Sequence, residues 1–137
     1  MNSDMTPFDY RYQRTGRLGH VELTGSKTFA DAIEMWERVR QAIERERLDG
    51  VLVVDRTKTE LTLDQVMELE QQVTARGFPR EIRIAIVPTE TRTLGNYRFG
   101  ETVARNRGWP RIAVFASEAE ARAWLAEAPS NHQNTND

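Results

Sequence analysis

The chain has 137 residues, 39% of them hydrophobic and 29% charged, with a formal net charge of −2 and no cysteine. That length suits one domain with a real core and is too short for two of ordinary size. The near-neutral balance supplies no basic field to draw the chain onto nucleic acid or an anionic membrane. The missing cysteine removes disulfides, thiolate nucleophiles and thiolate metal sites together and fits a reducing compartment.

The longest aliphatic runs, Val51 to Val54 and Ile84 to Val87, fall far short of the roughly 20 residues a membrane span requires, so an integral membrane protein is not expected. Met1 to Thr6 is polar and acidic, unlike a signal peptide, and a cytoplasmic location is the expectation. Residues 1–7 read as a flexible N-terminus, 8–128 as one α/β domain, and 129–137 as a disordered tail with no apolar residue from Ser130 onward.

Phe8, Tyr10 and Tyr12 alternate with Asp9, Arg11 and Gln13, the period of a strand with one wet face. His20 to Thr24 repeats the alternation, which predicts a hairpin with its loop around Gly16 and Gly19, closed by Gly25. From Thr28 the period lengthens: Phe29, Ala32, Ile33, Trp36, Val39 and Ile43 mark the buried face of a helix that Asp49-Gly50 stops. Glu34 with Arg38, and Arg40 with Glu44, lie four apart on its outer face. Such pairs contribute only about 0.3 kcal/mol each, so burial must anchor the helix.

Val51 to Asp55 shows no polar alternation, as an inner parallel strand covered on both faces requires. A second helix, Leu63 to Arg76, packs through Val66, Leu69 and Val73 and ends at Gly77 and Pro79. Ile82 to Val87 is the next strand. Thr91 to Arg107 is a third helix with Tyr97, Gly100, Val103 and Ala104 on one side; Gly100 costs about 1 kcal/mol against Ala there, which suggests a close approach to the sheet. Ile112 to Phe115 and Ser117 to Glu127 complete the chain, the last helix facing inward through Ala121, Trp124 and Leu125.

All five prolines fall between these segments, where a missing donor does no harm. The expected fold is therefore α/β, a single mixed five-stranded sheet in the order β-β-α-β-α-β-α-β-α with an opening hairpin. An edge strand in that hairpin could pair two copies, while Asp9 and Arg11 look like protection against pairing, so monomer and homodimer both stand.

Four stretches, LTGSKTFADAIEMW, VLVVD, RIAIV and WPRIAVFASEAEARAWL, give the chain a likeness spanning roughly residues 8 to 127. In them it resembles the STAS domain of bacterial anti-sigma-factor antagonists, in particular the SpoIIAA-like group. That resemblance implies a cytoplasmic bacterial protein that binds a partner or ligand and turns nothing over. In the classical antagonists the second helix opens on an Asp-Ser-Ser-Gly-like motif whose serine a partner kinase phosphorylates. The corresponding stretch here, Thr59-Glu60-Leu61-Thr62-Leu63-Asp64, lacks that motif, and Thr62 is the hydroxyl nearest to its place. Relatives are also compared with lipid-binding CRAL-TRIO domains, which implies a groove beside the sheet.

Two sets of site residues follow. Thr62 is a candidate phosphorylation switch, and with Thr59, Asp64 and Glu68 it forms a candidate partner surface on the second helix and its entry loop. Thr62 with Gln65, and Ser117 with Glu120, also read as plain capping boxes. The second set lies where strand ends and helix starts gather along one rim. There Ser26, Lys27, Arg56, Thr57, Thr89 and Arg92, with Tyr97 and Arg98 of the third helix, could hold an anion, a small molecule or a lipid.

Arg98, Glu101 and Arg105 read as a mixed-charge solvated face, and Trp36, Trp109 and Trp124 as core, with Trp109 at a helix-to-strand turn the one open to partial exposure. With His20 and His132 the only histidines, no metal cluster, catalytic triad or cofactor motif is expected. The leading expectation is a non-enzymatic binding module acting through protein contact. The alternative is a small-molecule, anion or lipid binder.

Overall fold

The computed structural model describes residues 6–127; the expected tail, and the first five residues of the expected flexible N-terminus, lie outside them. The elements are β1 (Asp9–Thr15), β2 (Leu18–Thr24), α1 (Phe29–Glu46), β3 (Gly50–Asp55), α2 (Leu63–Ala75), β4 (Arg83–Pro88), α3 (Thr91–Asn106), β5 (Ile112–Val114) and α4 (Glu118–Ala126). The strands form one sheet in the order β1-β2-β3-β4-β5. β1 and β2 are antiparallel, from Asp9 opposite Thr24 to Thr15 opposite Leu18, and the other pairs are parallel. Among the described residues, no helix is long and apolar enough to cross a membrane.

Side-chain alternation along the inner strands separates two cores. Val51, Val53, Ile84 and Ile86 face α1, α2 and α3, and Leu52, Val54, Ala85 and Val87 face α4 through Ala121, Trp124 and Leu125. Every residue of β3 is buried, the reason its sequence carries no polar alternation. On α1 the seam includes Met35 and Ala42 as well as Ala32, Val39 and Ile43, while Phe29, Ile33 and Trp36 are half-buried at its margin.

Several local expectations are corrected. Gly19 belongs to β2, not to the turn: a Cβ there would come within 2.8 Å of Leu48, so it permits close packing. α1 ends on Arg47 in the left-handed conformation (φ 54°), while Gly50 begins β3. Pro88 closes β4 opposite Asp55 and does not lie outside the strand. Gly100 approaches α2, not the sheet; its added Cβ would meet Val66 at 3.3 Å. Trp109, by contrast, is core as expected: it is buried, 5.6 Å ring to ring from Phe78, and its indole N–H donates to Glu70 at 3.0 Å.

Arg98, Glu101 and Arg105 do not form a merely solvated face. β5 is the outer strand, and Glu101 accepts from the Val114 N–H at 3.2 Å while Arg98 donates to the Val114 carbonyl at 2.9 Å. Arg105 reaches Glu101 at 3.2 Å and the Ile112 carbonyl at 3.5 Å. Charged side chains of α3 thus occupy the backbone groups an edge strand would offer to another chain.

Candidate functional site

α2 enters and leaves its place by strong local signals. Thr62 accepts from the Gln65 N–H at 3.1 Å and donates its own N–H to the Gln65 side chain at 2.9 Å, completing a capping box. Yet none of the helix's thirteen residues is fully buried. It lies against α1 on one side and α3 on the other, and beneath it a cavity of about 130 Å³ separates it from the sheet. Ile84, Ile86 and Val114 form the floor, and Val66, Leu69 and Val73 the roof. Gly100 and Ala104 of α3 leave the side wall low, since neither carries a side chain beyond Cβ.

Lys27 and Tyr97 bring a buried polar cluster to the cavity wall, which Glu70, Thr93 and Asn96 also line. Lys27 and Asp55, 4% and 2% exposed, pair at 2.5 Å. A charged group that deep is tolerated only when paired and hydrogen-bonded. The second carboxylate oxygen of Asp55 accepts from the Thr57 N–H at 2.9 Å and the Thr57 hydroxyl at 2.6 Å. Tyr97 donates its hydroxyl to Asp55 and accepts from Lys27 at 2.8 Å. The Lys27 N–H in turn donates to the Thr59 hydroxyl at 3.1 Å.

The topology explains the meeting. β2 and β3 run parallel with Leu23 opposite Asp55, so the loop after β2 delivers Lys27 to the carboxyl end of β3, and α3 brings Tyr97 from the other side. The backbone is shaped to match. Gly25 has φ 87°, and a Cβ on it would collide with the Pro7 carbonyl oxygen at 2.0 Å; the neighbouring Ser26 N–H donates to the Thr6 carbonyl at 3.0 Å.

Burial by itself would raise the Asp55 carboxyl, but Lys27, Thr57 and Tyr97 outweigh it and hold the group below its usual range. Burial, reinforced by the Asp55 charge, pushes Tyr97 well above an ordinary phenol. Displaced titration beside a cavity also marks many active sites. Here the chemistry limits that use: Asp55 already accepts four donors and Tyr97 keeps its proton, so neither offers a free base.

Of the expected rim residues, Lys27, Thr57 and Tyr97 are gathered here, and Thr59, expected on the partner surface, joins them. Arg56 is exposed and pairs with Glu22 at 2.6 Å, and Arg98 binds the Val114 carbonyl. The Thr89 N–H donates to the Asp55 carbonyl at 2.9 Å, and Arg92 is exposed. Of the cations expected on the anion rim, Lys27, Arg56 and Arg98 are paired with protein groups and Arg92 is exposed. Thr62, Asp64 and Glu68 are all exposed, and Asp64 and Glu68 border a shallow groove with Met67, Gln71 and Gln72. Ser117 caps α4 by accepting from the Glu120 N–H at 3.2 Å, and that single bond forms its cap.

Asp55 went unmarked in the sequence although it organises the cluster. A lone acid ending an otherwise apolar inner strand was the available signal, because acids that deep almost always have a cationic partner. Glu70 was missed likewise. Its side chain, 11% exposed, borders the cavity and accepts from Trp109, from Thr74 at 2.9 Å and from Arg107 at 3.4 Å.

Fold and site together define an α/β protein whose mostly apolar cavity borders the buried Lys27–Asp55–Tyr97 cluster. The chain matches no protein-family model, and a search of curated proteins finds no match.

Proposed function

We propose that the protein is a non-enzymatic binding protein that holds a small, mostly apolar molecule between α2 and the sheet. One observation carries this reading: the apolar stripe of α2 lines a cavity through Val66, Leu69 and Val73, and of the three only Val73 also packs against the core. An enclosed void of about 130 Å³ would forgo about 3 kcal/mol at about 24 cal/mol per Å³; this cavity is partly open to solvent, so its cost is less than that. A larger side chain at Ala104 would fill part of that space, and an occupant accounts for its smallness, whereas Gly100 is small because α2 packs on it, an added Cβ meeting Val66 at 3.3 Å. An apolar cavity of roughly 150 Å³ accommodates benzene, so the molecule is about one ring in size.

Titration of the full chain with cumene (isopropylbenzene), followed by amide chemical shifts, tests this. Saturable shifts should appear at Val66, Ile86 and Gly100. Ala104→Leu, which fills the void from its side, should keep the fold and weaken binding at least tenfold. Absence of any saturable shift in the unaltered chain would remove the proposal.

A second reading follows from the outer face of α2. Among the described residues, Leu63 is the large hydrophobic side chain left exposed, at 51%, beside Thr62, Asp64 and Glu68. This supports a STAS-like module that meets a protein partner at α2, with phosphorylation of Thr62 as its regulation. A phosphate there would lie at a helix N-terminus, where the dipole stabilises it. Pull-down with Leu63→Ser/Glu68→Lys against the unaltered chain tests it, and a partner retained by the folded variant counts against it.

A further inference from the structure

Lys27 is a buried charged group in the cavity wall with one hydrogen-bond donor left over. An ammonium has three N–H donors. Two of them are engaged, by Asp55 at 2.5 Å and Tyr97 at 2.8 Å, and the third has no acceptor among the described residues. The ring of Tyr97 lies to one side, 5.3 Å from the nitrogen to the ring centre. The side chain is 4% exposed and borders the cavity, so an unengaged donor on a buried ammonium stands beside an apolar space. Leaving such a donor without an acceptor is costly in a low-dielectric site.

Resting on the ligand-binding reading above, we propose that the ligand carries a neutral oxygen acceptor, such as a ketone, ester or ether oxygen, at one end of an apolar body. That oxygen accepts the third Lys27 N–H while the body lies beneath Val66 and Leu69. Charge decides between a neutral and an anionic head. Lys27 and Asp55 already cancel, so a carboxylate would add an uncompensated negative charge in an apolar cavity, close to the Asp55 carboxylate. A neutral carbonyl gains a charge-assisted hydrogen bond without that cost. A hydrocarbon of the same shape fills the cavity but leaves the donor unmet. Recognition therefore comes from Lys27, and Asp55, Thr57 and Tyr97 are positioning residues that fix its ammonium.

Three isosteric probes of nine heavy atoms each separate these cases, with the count fixed so that size is constant: cumene, acetophenone and benzoate. Their binding to the full chain is followed by amide shifts, and acetophenone is labelled with ¹³C at the carbonyl. The expected result has three parts. The bound carbonyl carbon moves downfield of its position in hydrocarbon solvent, Lys27→Met weakens acetophenone at least fivefold while changing cumene less than twofold, and benzoate binds at least tenfold more weakly than acetophenone.

A carbonyl resonance at its hydrocarbon-solvent position overturns the inference while saturable cumene binding leaves the ligand-binding reading standing. Equal loss of both probes on Lys27→Met, or benzoate binding more tightly than acetophenone, overturns it as well. Saturation by none of the three removes both ideas together. Should Lys27→Met fail to fold, the carbonyl shift on the unaltered chain decides alone.

Discussion

A lysine withdrawn from water must be held by something, and Lys27 is held by Asp55 at 2.5 Å with Tyr97 bonded to both. The pair tolerates deletion of neither member. Lys27→Met leaves a buried carboxylate facing only neutral donors and should cost about 3–5 kcal/mol, whereas Lys27→Met/Asp55→Leu should recover most of that loss. Tyr97→Phe removes one hydroxyl and should cost about 1–3 kcal/mol. Urea unfolding of the unaltered chain, Lys27→Met, Asp55→Leu and the double variant forms the cycle, with Tyr97→Phe measured alongside, and a single-variant loss under about 0.5 kcal/mol at Lys27 or Asp55 would show the pair to be effectively solvated. Gly25→Ala belongs at the same scale. With φ at 87° and the Pro7 oxygen 2.0 Å from the new carbon, it should exceed the roughly 1–2 kcal/mol of a left-handed non-glycine residue. A crystal structure of that variant should show the chain near Pro7 displaced. The cluster itself was only half legible in the sequence. Lys27, Thr57, Thr59 and Tyr97 stood out as polar groups near strand ends, but their convergence on Asp55 depends on the β2–β3 register, which local patterning does not encode.

At the scale of elements, periodicity placed all four helices, and the alternation of Tyr10 and Tyr12 gave the half-buried face of β1. What an apolar stripe faces is another matter. Val66, Leu69 and Val73 have the same spacing whether they meet side chains or a cavity, so the void under α2 was invisible to pattern alone. The reach of Glu101 and Arg98 to Val114 was hidden for the same reason, because a charged helix face gives no sign of which strand edge lies beside it. The void has a dynamic consequence. α1 buries five residues and α2 none, so α2 should open locally at lower free energy than α1. Native-state hydrogen exchange should therefore show weaker protection of α2 amides than of α1 and β3 amides. Thr62→Ala, which removes the cap, should weaken α2 by about a further 1 kcal/mol and leave β3 protection nearly unchanged. Equal protection of α1 and α2 would show that the roof is as firmly held as the core. Cumene at saturation should selectively slow exchange in α2, since a ligand that binds only the closed form stabilises it.

At the scale of the whole molecule, β3 and β4 emerge as the central parallel pair that their unbroken apolar runs imply. Their burial also sets how global stability responds to pH, because the displaced groups titrate on opposite flanks. Asp55 is held below its ordinary range in the folded chain, and its unfolded counterpart protonates near pH 3.9 (about,). Its contribution is therefore present above that value and is lost as pH falls through the folded value. The tyrosines act in the other direction. Burial raises Tyr10 and Tyr12 to about 12, with Glu46 adding to both and Arg38 and Arg45 opposing at Tyr10, and Tyr97 goes well above its ordinary value. In the unfolded chain all three ionise at about 10. Below that pH their contribution is complete; above it the unfolded state loses protons that the folded state retains, so stability falls as pH rises toward 12 and beyond. The chain has three tyrosines and all are displaced upward, which makes the alkaline flank readable by phenolate absorbance near 295 nm. Folded protein should show little phenolate at pH 10.5, and urea-unfolded protein should show most of it. Tyr97→Phe should make the alkaline decline shallower without abolishing it, since Tyr10 and Tyr12 remain. A folded-state titration centred at 10 would mean that these hydroxyls are open to water, and the buried cluster at the end of β3 would lose its physical basis.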